Sequence, residues 1–153
     1  IGINPDQPRI GWESKYTIHK EADDLLAELA IQYSNEGEEV IVMSKDSDLY
    51  QVLNWNDKIK LHDFTKEITK EFIYEMCGVN CNNYVDWKCL SGDSSDNIPG
   101  MPGIGASKAR KLINKFNVLE KIPNEYLIKD DIDYKDTILV YKKIIKLPFN
   151  YNQ

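Results

Sequence analysis

The chain has 153 residues, 42% of them hydrophobic and 29% charged, which is enough for one ordinary domain, or one with a small appendage, around a buried core. No apolar stretch approaches bilayer length and Ile1-Gly2-Ile3-Asn4-Pro5-Asp6 lacks the order of a secretory signal, so no membrane partner and a cytoplasmic setting are expected. The formal net charge of −6 argues against general affinity for nucleic acid, but acids and bases are segregated, so separate surfaces can serve cations and phosphates.

The chain opens on Ile1 rather than methionine, and further sequence upstream is expected. Tyr16 to His19 has the alternation of a strand, and Glu21 to Ile31 is rich in helix formers with apolar positions at helical spacing. Asn35-Glu36-Gly37 breaks that helix. Glu39 to Ser44 then reads as a buried strand, because its β-branched apolar residues run without interruption. Asp48 to Leu53 reads as a short helix and Lys58 to Phe64 as another strand, so the rhythm is that of a parallel α/β sheet.

From Thr69 onward strand signals fade, and 70–76, 84–90, 106–113 and 134–146 read as helices, the last ended by Pro148. The expected division is a partial α/β core over 1–68 and a helical part over 69–153. Three cysteines, Cys77, Cys81 and Cys89, speak against a disulfide framework and read as buried reduced thiols rather than zinc ligands with His62. Trp12, Trp55 and Trp87 could stack on bases, but core or rim packing is expected of each. His19 and His62 have no triad partners in context.

In a parallel sheet, ligand groups gather at the carboxyl ends of strands, so Glu21, Asp23 and Asp24 can converge with Asp46 and Asp48. Glu21 and Asp24 share a helix face, although acids in a first turn also simply complement the helix dipole. Asp46-Ser47-Asp48 can offer two carboxylates to one hard cation, or cap the helix that follows. Asp93 and Asp96 make a third pair, and three such groups are too many for capping alone. A site rich in carboxylates and poor in His or Cys selects Mg2+ or Mn2+, and two such ions suit phosphodiester hydrolysis.

The run from Ser91 to Gly105 joins Asp93 and Asp96 to a turn holding Gly100, Gly103 and Gly105, stiffened by Pro99 and Pro102. Gly103-Ile104-Gly105 opening a basic helix presents N–H groups to a phosphate, with Lys108, Arg110 and Lys111 adding attraction. An ordinary tight helix-hairpin turn with a solvated basic face is the competing reading. No base-reading constellation is visible, so sequence-independent backbone contact is expected.

In their order and approximate spacing, Lys20 to Asp24, Ser44 to Leu53 and Leu90 to Ala109 resemble the 5′-nuclease superfamily: flap endonucleases, phage 5′-exonucleases and the 5′-nuclease domain of bacterial DNA polymerase I. The resemblance covers roughly Tyr16 to Phe116. It implies an α/β, parallel-sheet core of resolvase or PIN type, incomplete at its amino end, followed by a helix-three-turn-helix DNA-binding element over about 89–116. It implies that Glu21, Asp23 and Asp24 serve one metal region and Asp46, Asp48, Asp93 and Asp96 the other, with Asp23, Asp46, Asp48 and Asp93 as the catalytic set. It further implies DNA contacts from Gly103, Gly105, Ser107, Lys108, Arg110 and Lys111, and a potassium loop at Met101, Gly103 and Gly105.

The family's first strand, two further aspartates and basic helical arch are not found upstream of Glu21. The expected function is therefore a metal-dependent, structure-selective 5′-nuclease component acting at flaps, nicks or RNA-DNA junctions in replication or repair. The alternative is a catalytically incomplete DNA-binding module that needs a separate amino-terminal polypeptide. A ribonuclease of the toxin type is disfavoured, because those small domains lack the Gly103-Ile104-Gly105 hairpin. The expected setting is the cytoplasm of a bacterial or phage-infected cell.

Overall fold

The computed structural model describes residues 21–148. The strand expected at Tyr16 to His19, together with Trp12 and His19, lies outside the described residues. Helix α1 (Ala22–Asn35) starts from Glu21 in extended conformation, with Asp23 and Asp24 in the first turn facing the positive end of the dipole. It ends before Gly37 at φ 99°, and buries Ala27 and Ala30 against the sheet and the segment that follows.

Strands β1 (Val40–Met43), β2 (Ile59–His62) and β3 (Glu67–Ile68) form a sheet of order β1-β2-β3. β1 and β2 are parallel, with Val40 opposite Ile59 and Met43 opposite His62. The two expected strands are thus parallel, and an additional strand, β3, joins antiparallel, placing Leu61 opposite Ile68. The reason is turn chemistry. Asp63 accepts N–H bonds from Thr65 and Lys66 at 2.9 and 2.8 Å while Phe64 takes φ 74°, and so short a link can only return the chain antiparallel. β1 is not buried on both faces as expected: Val42 is 4% exposed, but Ile41 is 64% and Met43 46%. Alternate side chains point to opposite faces, and among the described residues only the face carrying Val42 is covered.

Between β1 and β2 a 3-10 helix runs from Ser47 to Asn54. Such helices rarely exceed one turn, and this one carries Asp48 near its start. Helix α2 (Lys70–Cys77) is capped by Thr69, whose hydroxyl accepts from the Phe72 N–H at 3.1 Å, and ends at Gly78 in left-handed conformation. Helices α3 (Tyr84–Ser91), α4 (Ala106–Phe116) and α5 (Lys135–Ile145) lie where the sequence places them. A hairpin of β4 (Ile128–Lys129) and β5 (Ile132–Asp133) interrupts the region expected to be free of strands. Asp130 and Asp131 both take positive φ there, 52° and 62°, which is the backbone a two-residue hairpin turn requires.

Leu49, Val52, Leu61, Ile73, Leu90, Ile113, Leu119 and Ile138 belong to one continuous core. α3 is its hub, packing on α4, on α5 and on the 3-10 helix. Its buried Asp86 accepts from the Leu119 N–H at 2.9 Å and pairs with Lys142 of α5 at 2.6 Å; Lys142 also meets Glu120 at 2.8 Å. Cys77, Cys81 and Cys89 are buried free thiols, and burial pushes Cys81 up to about 11 and Cys89 to about 12. Among the described residues no helix is long and apolar enough to cross a membrane.

Candidate metal centre and nucleic-acid interface

Glu21, Asp23, Asp24, Asp46, Asp48 and Asp96 line one cleft of about 480 Å³. The first three arrive at the start of α1, Asp46 and Asp48 just beyond the end of β1, and Asp96 on the loop after α3. Asp48, Asp93 and Asp96 each bring one carboxylate oxygen within 4.8 Å of the others. Among the described residues this is the group spaced to share a metal ion. An all-carboxylate donor set of this kind fits a hard divalent cation such as Mg2+ or Mn2+.

Local hydrogen bonds aim these groups. Asp46 does act as a cap, its Oδ1 accepting from the Asp48 N–H at 2.9 Å, and it still lines the cleft. The Asp93 Oδ1 accepts from the Ser95 N–H at 2.8 Å and from the Ser95 hydroxyl. Asp93 and Ile98 exchange both backbone bonds at 2.8 Å, which closes the loop bearing Asp96. Burial raises Asp23, partly offset by the Asp24 N–H.

The charge at the centre of this cluster comes from a residue that sequence reasoning did not single out. Lys88 of α3 is 3% exposed, and its ammonium contacts Asp48 and Asp93 and lies 3.5 Å from Asp96. Burial works against that charge, but the bonds to Asp48 and Asp93 outweigh it and hold Lys88 above its ordinary value. Burial pushes the Asp48 carboxyl up to about 6, with Lys88 offsetting only part and Asp96 and Asp46 adding to it. Burial also acts on Asp93, but there Lys88 and Ser95 win and draw it down to about 2. A signal for Lys88 did exist: it follows buried Tyr84 by one helical turn and precedes Cys89 and Leu90, and a lysine on an apolar face implies a buried acid.

Gln51 is a second such residue. Its amide donates to the Asp48 carbonyl at 2.8 Å and to the Ile145 carbonyl at 2.9 Å, and its Oε1 accepts from the Leu147 N–H at 2.8 Å. Those bonds clamp the end of α5 onto the 3-10 helix, so Ile144, Ile145 and Leu147 form an apolar wall of the acidic cleft.

The glycine turn follows the cleft loop directly. Gly92 and Gly100, at φ 84° and 69°, pack backbone to backbone; a Cβ on Gly100 would lie 2.5 Å from the Gly92 nitrogen. Gly103 takes φ 82°, whereas Gly105 has φ −89° and open space where a Cβ would sit. Neither the conformation of Gly105 nor its surroundings in the chain require a glycine there. It opens α4 without a side-chain cap, leaving the first helical N–H groups facing out of the turn.

Ser107, Lys108, Arg110 and Lys111 are all exposed on α4. Lys108 donates to the Gly103 carbonyl at 3.0 Å. Arg110 instead lies along Gly78 at the end of α2, where a Cβ would be 2.2 Å from its Cδ, so its side chain is turned away from the glycine turn. Met101 points into the core at 3% exposure while its carbonyl accepts from the Ile104 N–H at 2.9 Å. The unexpected hairpin adds a cation, since Lys129 of β4 brings its ammonium 3.4 Å from where a Gly103 Cβ would be. Trp87 anchors the start of α4 by donating to the Ala106 carbonyl at 3.1 Å, and Trp55 packs on the core.

Residues 79–149 match the family described as 5′-3′ exonuclease, C-terminal SAM fold. Over 102 residues the chain is 44% identical to the thermostable DNA polymerase I of Thermus thermophilus, covering 67% of this chain and 12% of that protein. Over 104 residues it is 39% identical to a 5′-3′ exonuclease of Buchnera aphidicola, covering 68% of this chain and 36% of the relative. The chain thus spans well under half the length of either. Among solved structures, the zinc-bound T5 5′-exonuclease superposes with a TM-score of 0.68 at 23% identity, over 84% of this chain and 51% of that one. A bacteriophage T5 flap endonuclease in a pseudo-enzyme-product complex with DNA and metal ions superposes with a TM-score of 0.59 at 23% identity, over 82% of this chain and 47% of that one.

Proposed function

Because the chain belongs to the 5′-nuclease superfamily and carries the C-terminal SAM-fold part of a 5′-3′ exonuclease, we propose that it is the metal-holding and DNA-gripping component of a structure-selective 5′-nuclease. It hydrolyses DNA phosphodiesters at 5′ flaps, nicks or RNA-DNA junctions during replication or repair, in the cytoplasm of a bacterial or phage-infected cell. The observation that carries this reading is the joining of two surfaces by one short loop. Asp48, Asp93 and Asp96 meet within 4.8 Å, and the segment leaving Asp96 becomes the glycine turn that opens α4.

In this reading Asp48, Asp93 and Asp96, with Asp46 beside them, hold one divalent ion, and Glu21, Asp23 and Asp24 hold a second. Bound ions supply activation of water and stabilisation of the leaving oxygen. The chain's own residues do the rest. Gly103, Gly105 and the first N–H groups of α4 seat a backbone phosphate, and Lys108, Lys111 and Lys129 hold the strand from the exposed side. Carbonyls of Met101, Gly103 and Gly105 are the candidates for a potassium ion shared with that phosphate. The division of labour between 1–68 and 69–153 is then chemical on one side and duplex-holding on the other, with Asp93 and Asp96 crossing between them.

A second reading is a DNA-binding module that depends on a separate amino-terminal polypeptide for cleavage. Turnover of a 5′-flap DNA in Mg2+, by the chain alone and with a candidate amino-terminal fragment, separates the two. Cleavage by the chain alone sinks the module reading. Binding without cleavage in either mixture sinks the nuclease reading.

A further inference from the structure

The ammonium of Lys88 occupies the place where the carboxylates of Asp48, Asp93 and Asp96 converge. It contacts the first two and lies 3.5 Å from both the third and the Ser47 hydroxyl. The ammonium also lies over the Tyr84 ring, 5.9 Å from its centroid. Three acids and one base leave a net negative cluster, so the ammonium relieves the repulsion without cancelling it. A divalent cation drawn to the same three carboxylates would have to share that small space with the ammonium, and two cations at contact distance repel each other strongly.

We propose that Lys88 is a tethered counter-cation of the metal centre, which holds Asp48, Asp93 and Asp96 together in the absence of metal and is displaced when a divalent cation enters. Metal binding at this cluster is then an exchange of ammonium for metal rather than the filling of a ready cavity. Two consequences follow from that exchange. Affinity at the cluster is lower than three convergent carboxylates alone would give, and the fold keeps its shape when metal is withdrawn. The inference rests on the metal-centre reading above, and its test keeps the two apart.

The test is calorimetric titration with Mn2+, without DNA, of the wild-type chain, Lys88→Met and Lys88→Arg, each followed by thermal unfolding in EDTA and in saturating Mn2+. Lys88→Met keeps most of the stem and removes the charge, and is expected to bind Mn2+ about tenfold more tightly than wild type, because a competing charge at contact distance is gone. Its midpoint of unfolding should fall in EDTA and rise on adding Mn2+ by more than that of wild type, whose weaker binding gives a smaller gain. Lys88→Arg keeps the charge and should bind no more tightly than wild type. A Lys88→Met chain that is unfolded in EDTA but folds when Mn2+ is added supports the exchange. One that stays unfolded in saturating Mn2+ overturns it, as does a folded variant with unchanged or weaker affinity. Mn2+ binding of equal strength in wild type and Lys88→Met leaves the metal centre standing and removes only the exchange. Absence of Mn2+ binding in all three chains removes the metal centre itself.

Discussion

The acidic cleft and the glycine turn adjoin each other but are built on opposite principles. The cleft gathers groups from the start of α1, the 3-10 helix, α3, the loop after it and the end of α5, and it forces like charges together in a half-buried space. Folding must supply what that arrangement costs, which explains Lys88 among the acids and Gln51 beneath them. The turn is nearly contiguous in sequence, leads straight into the exposed basic face of α4, and needs permissive backbone at Gly100 and Gly103. A site that positions cations must be held rigid by distant parts of the chain, whereas a surface that grips a uniform phosphate backbone can be local.

The largest expected effect breaks the two regions apart. Asp46→Asn combined with Asp48→Asn should lower cleavage of a 5′-flap DNA by about a thousandfold or more, because the charge proposed to hold divalent ions is removed. DNA affinity, measured by fluorescence anisotropy in Ca2+, should stay within about twofold, since the proposed phosphate contacts lie on the turn. A parallel loss of DNA binding would show that cleft and turn are one surface.

Next in size is the support beneath the cleft. Gln51→Ala removes three buried hydrogen bonds and leaves the Asp48 and Ile145 carbonyls and the Leu147 N–H without that partner. Chemical denaturation should report a loss of about 2–4 kcal/mol. DNA affinity of the folded fraction should not change, since the Gln51 bonds go to the 3-10 helix and the end of α5 and not to the turn. A loss below about 0.5 kcal/mol would mean that water takes over these bonds and that α5 is not clamped.

This contrast also governs how much could be read from the chain. The turn was legible because glycine, proline and basic residues act over a few positions, although the Arg110 side chain was drawn off to Gly78 and Lys129 arrived from a hairpin that the Asp130-Asp131 pair did not announce. The acids of the cleft were legible by type and by their place at helix and strand ends. Their positioning was not: the Gln51 bonds span 94 and 96 residues and leave no local pattern, and Lys88 reads as one more helical lysine until its apolar neighbours are weighed. β3 was missed for a related reason, since two residues are too few for a pattern and the capping role of Asp63 depends on Phe64 taking positive φ.

The turn itself can be sharpened by separating charge from approach. Lys108→Ala with Lys111→Ala should weaken DNA binding about tenfold and lower the salt slope by about two, as expected for two lost phosphate contacts. Gly105→Ala adds one methyl group in open space at an ordinary φ, so it should leave the unfolding midpoint unchanged. Affinity should still fall about fivefold with the salt slope intact, because the methyl group keeps a phosphate from the first N–H groups of α4. Full affinity in Gly105→Ala would mean that the phosphate does not approach at this point.

The smallest effect lies inside the cleft and is read from pH, in EDTA. Asp93 is drawn down from 3.8 to about 2, so its contribution to stability is present above pH 3.8 and is lost as pH falls through 2. Asp48 is raised from 3.8 to about 6, so its contribution has the opposite sign: it is present below pH 3.8 and is lost as pH rises through 6. Two carboxylates on one ammonium therefore pull the stability curve in different directions. Stability of Asp48→Asn relative to wild type should rise by about 1–3 kcal/mol between pH 4 and pH 7, because the variant has no carboxyl to ionise against burial. Asp93→Asn should show the reverse at lower pH, its cost growing from pH 2 to pH 4 and then holding level. If both variants track wild type at every pH, neither carboxyl is shifted by folding, and the asymmetry that sets Asp48 apart is absent.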